Sequence, residues 1–151
     1  MRWLPAFLSA ALLAAPSLAA KKSTEERFKT YHTKSLSSTP VKLGDSTYRE
    51  LTSAPRDYTV AVLLTAMDAR FGCQLCREFQ PEWDLLSRSW ISGDKAGESR
   101  LVFGTLDFAD GRDVFMSLGL QTAPVLFLFP PTAGAHAAAS PEPIRYDFTN
   151  G

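Results

Sequence analysis

Apolar and polar positions divide this 151-residue chain into segments of different character. Residues 58–65, 100–107 and 125–129 are short, β-rich and apolar on both faces. That pattern predicts strands buried within a sheet rather than lying on its surface. Residues 41–43 alternate Val-Lys-Leu and predict a short first strand, and residues 144–148 predict an edge strand. Between the strands lie helical stretches. One covers residues 45–51, with Asp45 or Ser46 as its cap and Tyr48 and Leu51 on its inner face. A long one runs from Cys73 to about Trp90, and a short one covers 113–118 and ends at Gly119. Turns and loops fall at 54–57, 67–72, 92–99, 108–111 and 130–143, the last rich in Ala, Gly and Pro. Residues 21–34 are polar, with Phe28 and Tyr31 suited to one short helix, and 35–40 read as a linker, so the domain is expected to start near Val41. The order β-α-β-α-β-α-β-β predicts an α/β sandwich around a central mixed β-sheet with flanking helices.

The first twenty residues stand apart. Arg2 is their only charge, residues 4–15 form a short apolar run, and Ser17-Leu18-Ala19 provides small residues after Pro16. This is the plan of a secretory signal peptide, removed after Ala19 or Ala20. The run is short for a bilayer span, which needs roughly 20 apolar residues. Over the whole chain 16 basic residues balance 16 acidic ones, and without Arg2 15 basic residues face the 16 acidic ones. No net field favours nucleic acid or anionic lipid, so function must come from a site.

The chemistry centres on Cys73 and Cys76, the only two cysteines. A bridge closing so small a loop constrains almost nothing, so stability is not its purpose. Cys73 stands where a loop ends and a helix begins. Unpaired backbone N–H groups and the helix dipole favour a thiolate there. Cys76 lies one turn on, on the same face, and is suited to resolve a mixed disulfide. A structural zinc needs four ligands, and His32 and His136 are isolated, so no metal or cofactor is expected.

Pro81 interrupts the long helix five residues after Cys76, and Thr122-Ala123-Pro124 precedes a strand. The segment Cys-Arg-Glu-Phe-Gln-Pro-Glu-Trp resembles the active-site helix of the thioredoxin and protein disulfide isomerase families. Those families carry a kinking proline at that spacing and a cis-proline facing the thiols. The resemblance implies a cis bond before Pro124 and a peptide groove lined by Ala123 and Pro124. Phe71, just before the pair, is expected at the groove rim. The other aromatics, Phe79, Trp83, Trp90, Phe103, Phe115, Phe127 and Phe129, are expected in the core. The stretch Leu-Thr-Ala-Met-Asp-Ala-Arg-Phe-Gly-Cys narrows the match. With Phe79-Gln80-Pro81-Glu82-Trp83 and Thr122-Ala123-Pro124, it resembles the thioredoxin-like subunit family of the oligosaccharyltransferase complex.

That resemblance implies a thioredoxin-like domain over 41–151, after a signal peptide at 1–19 and an N-terminal extension and linker at 20–40. It implies residence in the endoplasmic reticulum lumen and association with other oligosaccharyltransferase subunits. It also implies transient mixed disulfides with nascent secretory polypeptides, Cys73 attacking and Cys76 resolving, to aid N-linked glycosylation. The family carries four transmembrane helices after this domain, and thioredoxin folds end in a helix. Neither is found before Gly151, so a truncated form with one bare apolar sheet face is expected, with membrane attachment only through that missing region. Strand 58–65 has no acidic residue to accept a proton from the resolving thiol, and Asp68 reads as a solvated turn residue. Arg70 and Arg77 could support a thiolate but read first as solvated side chains. Asn150 is the only asparagine, and no complete Asn-x-Ser/Thr is present. Two other readings stay open: a free secretory disulfide oxidoreductase, and a peptide-holding module whose cysteines remain bridged. Magnesium transport, suggested by animal relatives of the family, finds no pore-forming segment here.

Overall fold

The computed structural model describes residues 22–148, so the expected signal peptide and Asn150 lie outside the described residues. Strand β2 (Thr59–Thr65) is the axis of a five-stranded sheet because side chains on both its faces are buried. It pairs in parallel with β3 (Leu101–Asp107), from Thr59↔Leu101 to Thr65↔Asp107. On its other side it pairs antiparallel with β4 (Val125–Phe129), from Val60↔Phe129 to Leu64↔Val125. Strand β1 (Val41–Leu43) adds in parallel outside β3, and β5 (Ile144–Asp147) adds antiparallel outside β4. The spatial order is β1-β3-β2-β4-β5, a mixed sheet as expected.

Period-two alternation sends the side chains of each strand to opposite faces. Val60, Val62 and Leu64 of β2, Val102 and Leu106 of β3, and Val125, Phe127 and Phe129 of β4 form one buried cluster. Three helices cover it: α1 (Thr24–Ser37), α2 (Asp45–Thr52) and α4 (Arg112–Ser117). The opposite face carries Ala61, Leu63 and Phe103, against which α3 (Gln74–Gly93) lays Trp83. Trp83 Nε1 donates to Thr105 Oγ1 at 3.0 Å, which satisfies the indole and fixes the helix along the sheet. Among the described residues no helix follows β5, and Ile144 and Tyr146 on the α3 face are exposed.

The N-terminal segment differs from its reading as an extension and linker before a domain starting at Val41. Helix α1 extends to Ser37, and Phe28 and Tyr31 belong to the main core cluster. Its polarity disguised it, because its buried stripe is narrow and includes a charged residue. Arg27 is buried, with its guanidinium on the carbonyls of Glu50, Ser53 and Pro55. These bonds tie α1 to the last turn of α2 and the residues that follow it. Tyr31 Oη donates to Glu50 at 2.9 Å.

Two smaller expectations are also corrected. The cap of α2 is Gly44, whose N–H donates to Thr47 Oγ1, and Asp45 instead accepts the Val114 N–H at the start of α4. Trp90 is 41% exposed rather than in the core. Its ring lies against Phe103 at the rim while Nε1 donates to Ser99.

If α1 is part of the cooperative core, Tyr31→Ala should destabilise the protein by about 3–5 kcal/mol. Chemical denaturation would measure this, and a change below about 0.5 kcal/mol would show α1 to be an appendage. Burial opposes the charge of Glu50, but hydrogen bonds from Tyr31 and Lys22 outweigh it and hold the carboxyl below its ordinary 4.5. A carboxyl lowered on folding adds stability above its unfolded value, and that stability is lost as pH falls through the folded one. Glu50→Gln should therefore show a shallower loss of stability than the unaltered chain on acidification below 4.5, followed by denaturant midpoints across that range.

Candidate redox site at the start of helix α3

Strand β2 delivers the chain to one end of the sheet at Thr65, and the loop that follows is built to turn it back. Asp68 accepts the Arg70 N–H at 3.0 Å and starts a 3-10 turn at Ala69–Phe71. Gly72 then adopts φ +57°, a left-handed conformation that a side chain would oppose. Cys73 follows as the N-cap of α3, and its Sγ accepts the Cys76 N–H at 3.1 Å. The sulfur thus occupies the place a capping hydroxyl or carboxylate usually fills. Negative charge is favoured there by the free N–H groups and the helix dipole.

Cys73 and Cys76 are joined as a disulfide. Their exposures differ sharply. Cys73 is partly exposed, whereas Cys76 is fully buried on the inner stripe of α3 with Trp83 and Ser87. An incoming thiol can therefore reach only one of the two sulfurs. Across from the pair, the Ala123–Pro124 peptide is cis, as are Thr39–Pro40 and Ala54–Pro55. The Ala123 carbonyl oxygen lies 3.5 Å from Cys73 Sγ, in position to accept from a free thiol.

A cleft of about 420 Å³ opens beside Cys73. Phe71 and Ala123 line it, together with Phe108, Phe115, Leu120 and Thr122. Phe71 is 39% exposed and stands edge-on to Phe108 at 5.2 Å, which in turn stands edge-on to Phe115 at 5.4 Å. This aromatic series connects the rim of the cleft to the core. The structure thus gathers Cys73, Cys76, Phe71 and Ala123 at one place, while Pro124, next in the chain and joined to Ala123 by the cis bond, is not among the residues that line the cleft. Phe108 and Leu120 escaped sequence reasoning because each lies in a turn, far along the chain from Cys73. The β2–β3 register brings Phe108 to the loop, its N–H donating to the Thr65 carbonyl at 2.8 Å, and the Leu120 N–H donates to the Phe115 carbonyl of α4 at 3.0 Å. Asp68 caps the 3-10 turn and pairs with Arg70 at 3.3 Å. Arg70 lies over the Phe71 ring, and Arg77 is exposed on the outer face of α3. No group of three or more His, Cys, Asp or Glu side chains among the described residues could hold a metal ion. No helix among them is long and apolar enough to cross a membrane.

Known proteins share both the architecture and the sequence. The Trx4 domain of ERdj5 superposes with a TM-score of 0.50 at 20% identity, covering 71% of this chain and 82% of that one, and this likeness shows the thioredoxin-like fold. The dolichyl-diphosphooligosaccharide–protein glycosyltransferase subunit MAGT1 of Xenopus laevis is 38% identical over 88 residues, 58% of this chain and 26% of the relative. The human MAGT1 subunit is 34% identical over 87 residues, 58% of this chain and 26% of the relative. Subunit 3 of the same transferase from Schizosaccharomyces pombe is 25% identical over 85 residues, 56% of this chain and 27% of the relative. The chain therefore spans about a quarter of the length of the curated relatives it matches. Residues 27–151 match the model of a family described as "OST3 / OST6 family, transporter family", a span that takes in most of α1 as well as Cys73 and Cys76, and the chain belongs to the OST3/OST6 family.

Proposed function

We propose that this chain acts in the endoplasmic reticulum lumen as the redox-active domain of an oligosaccharyltransferase subunit, holding nascent glycoproteins through transient mixed disulfides. The observation that carries this reading is the unequal placement of the two sulfurs. Cys73 is reachable, caps α3 and borders an apolar cleft, while Cys76 is bonded to it from within.

In the oxidised chain, a substrate thiolate attacks Cys73 Sγ in line with the existing bond. The Cys73–Cys76 bond breaks, a Cys73–substrate bond forms, and Cys76 leaves with the electron pair and takes up a proton. The tethered segment lies in the cleft, its backbone facing the Ala123 carbonyl and an apolar side chain facing Phe71 and Phe108. While it is held it cannot fold, and an Asn-x-Ser/Thr site near the tether stays accessible to the transferase. Cys76 later attacks Cys73 Sγ, restores the internal disulfide and releases the substrate thiol. When the chain starts reduced and the substrate holds a disulfide, the Cys73 thiolate attacks it and the same resolving step follows. The catalytic residues are Cys73 and Cys76. Phe71, Ala123 and Pro124 shape the peptide site. The names of the relatives support the other transferase subunits as partners.

Cys76→Ser, expressed in the secretory pathway, should accumulate covalent adducts on Cys73 at least about tenfold above the unaltered chain, because the resolving thiol is gone. Non-reducing gels with mass spectrometry would read them, and adducts rich in unglycosylated acceptor sites are expected. Adducts with no such enrichment would leave a general disulfide oxidoreductase. Cys73→Ser should yield none. The reduction potential of the pair should lie above about −300 mV, the range of exchangeable bridges. A lower value, by equilibration with glutathione or dithiothreitol, would mark an inert bridge and sink the proposal.

A further inference from the structure

Three buried side-chain polar atoms among the described residues have no hydrogen-bond partner: Arg27 Nε, Thr65 Oγ1 and Gln80 Oε1. Thr65 and Gln80 line a single cavity of about 360 Å³, open to solvent, where α3 meets the β1–β3 side of the sheet and residues 38–40. Gln80 Nε2 donates to Asp84 at 2.9 Å, which fixes the amide and leaves Oε1 as a pure acceptor. Buried polar atoms in native proteins are almost always satisfied by protein or ordered water. A polar cavity of this size has room for water held by such atoms.

The register of α3 shows what lies above this cavity. Trp83 is anchored to Thr105, the β3 partner of Leu63. Helix α3 joins two parallel strands and so runs opposite to them. A rise of about 1.5 Å per residue carries Gln80 about 4.5 Å, and Cys76 about 10.5 Å, toward the strand C-termini. These shifts correspond to roughly one and three strand residues at about 3.3 Å each. Thr65 is two residues beyond Leu63 on the same face. It therefore lies beneath the turn of α3 bounded by Gln80 and Cys76. That face of β2 is otherwise Ala61 and Leu63, with no carboxylate to take a proton from the buried thiol.

We propose that Thr65 and Gln80 hold water in this cavity and that this water takes the proton from Cys76 during the resolving step. The proposal rests on the mixed-disulfide reading above. As the Cys76 S–H bond breaks, its electron pair forms the bond to Cys73 Sγ. The Cys73–substrate bond breaks, and the substrate leaves as a thiolate that is protonated by solvent. The proton from Cys76 passes through the cavity water to bulk solvent at the open mouth, past the other titratable lining groups, Lys42 on β1, Asp84 and Arg88 on α3, and Asp107 on β3. Thr65 and Gln80 are positioning residues, since they touch the water and not the reacting sulfurs.

The test uses the reduced full chain and oxidised glutathione, with acid quenching and mass detection of the Cys73–glutathione adduct from pH 5 to 9. Adduct formation is second-order and reports Cys73. Adduct decay is first-order and reports Cys76. Thr65→Val and Gln80→Leu should each slow decay about tenfold at pH 7, the scale of a lost proton-transfer contribution. Both should leave the formation rate within about twofold, and their deficit should narrow toward pH 9, where hydroxide competes with the cavity water as the proton acceptor. Thr65→Ser keeps the hydroxyl and should decay like the unaltered chain. The proposal is overturned if decay is unchanged in Thr65→Val and Gln80→Leu, if it slows equally at every pH, or if Thr65→Ser fails to restore it. If Thr65→Val does not fold, Gln80→Leu and Thr65→Ser decide on the same criteria. If the unaltered chain forms no adduct at all, the mixed-disulfide reading falls and takes this one with it. A chain that forms adducts which decay independently of Thr65 and Gln80 overturns this proposal alone.

Discussion

Everything at the site depends on the unpaired N–H groups at the first turn of α3 and on which atom they meet. In most helices a hydroxyl or carboxylate meets them. Here it is Cys73 Sγ, held by the Cys76 N–H. The same interaction stabilises developing negative charge on sulfur and aims Cys73 outward. Its geometry depends on Gly72, whose left-handed backbone turns the chain into the helix, and on β2, whose two buried faces anchor the incoming strand.

From that constraint follows the division of labour between the sulfurs. A helix packed on a sheet has an inner and an outer stripe. The spacing of three between the cysteines puts Cys76 on the inner stripe with Trp83 and Ser87. Trp83 sets the depth and register of that stripe through Thr105 and Phe103. The apolar cover that shields Cys76 also isolates its proton from solvent. Thr65 Oγ1 and Gln80 Oε1 are buried polar atoms without a hydrogen-bond partner that border one cavity beside this helix.

The cleft joins the redox pair to the core. Phe71, Phe108 and Phe115 form a continuous edge-to-face series, so the shape of the cleft is tied to the packing of α4. Helix α4 is in turn capped by Asp45, at the first position of α2. A short helix that would be marginal alone is thus held by tertiary contacts.

The sequence by itself determined the strands, the redox pair and its helix start. Each of these rests on local rules: continuous apolar runs for β2, β3 and β4, and a Cys-x-x-Cys where a loop meets a helix. It also placed Phe71 near the sulfurs, from its position just before Cys73, and Ala123 and Pro124, through a resemblance. Only the tertiary structure decided that α1 belongs to the core, because Arg27 and Tyr31 find their partners in α2 and the loop after it, more than fifteen residues on. It also decided that Trp90 lies at the rim, that Phe108 and Leu120 shape the cleft, and that Thr65 and Gln80 share one cavity. Those facts depend on which elements pack together, and contacts between distant segments leave no periodic trace in the chain.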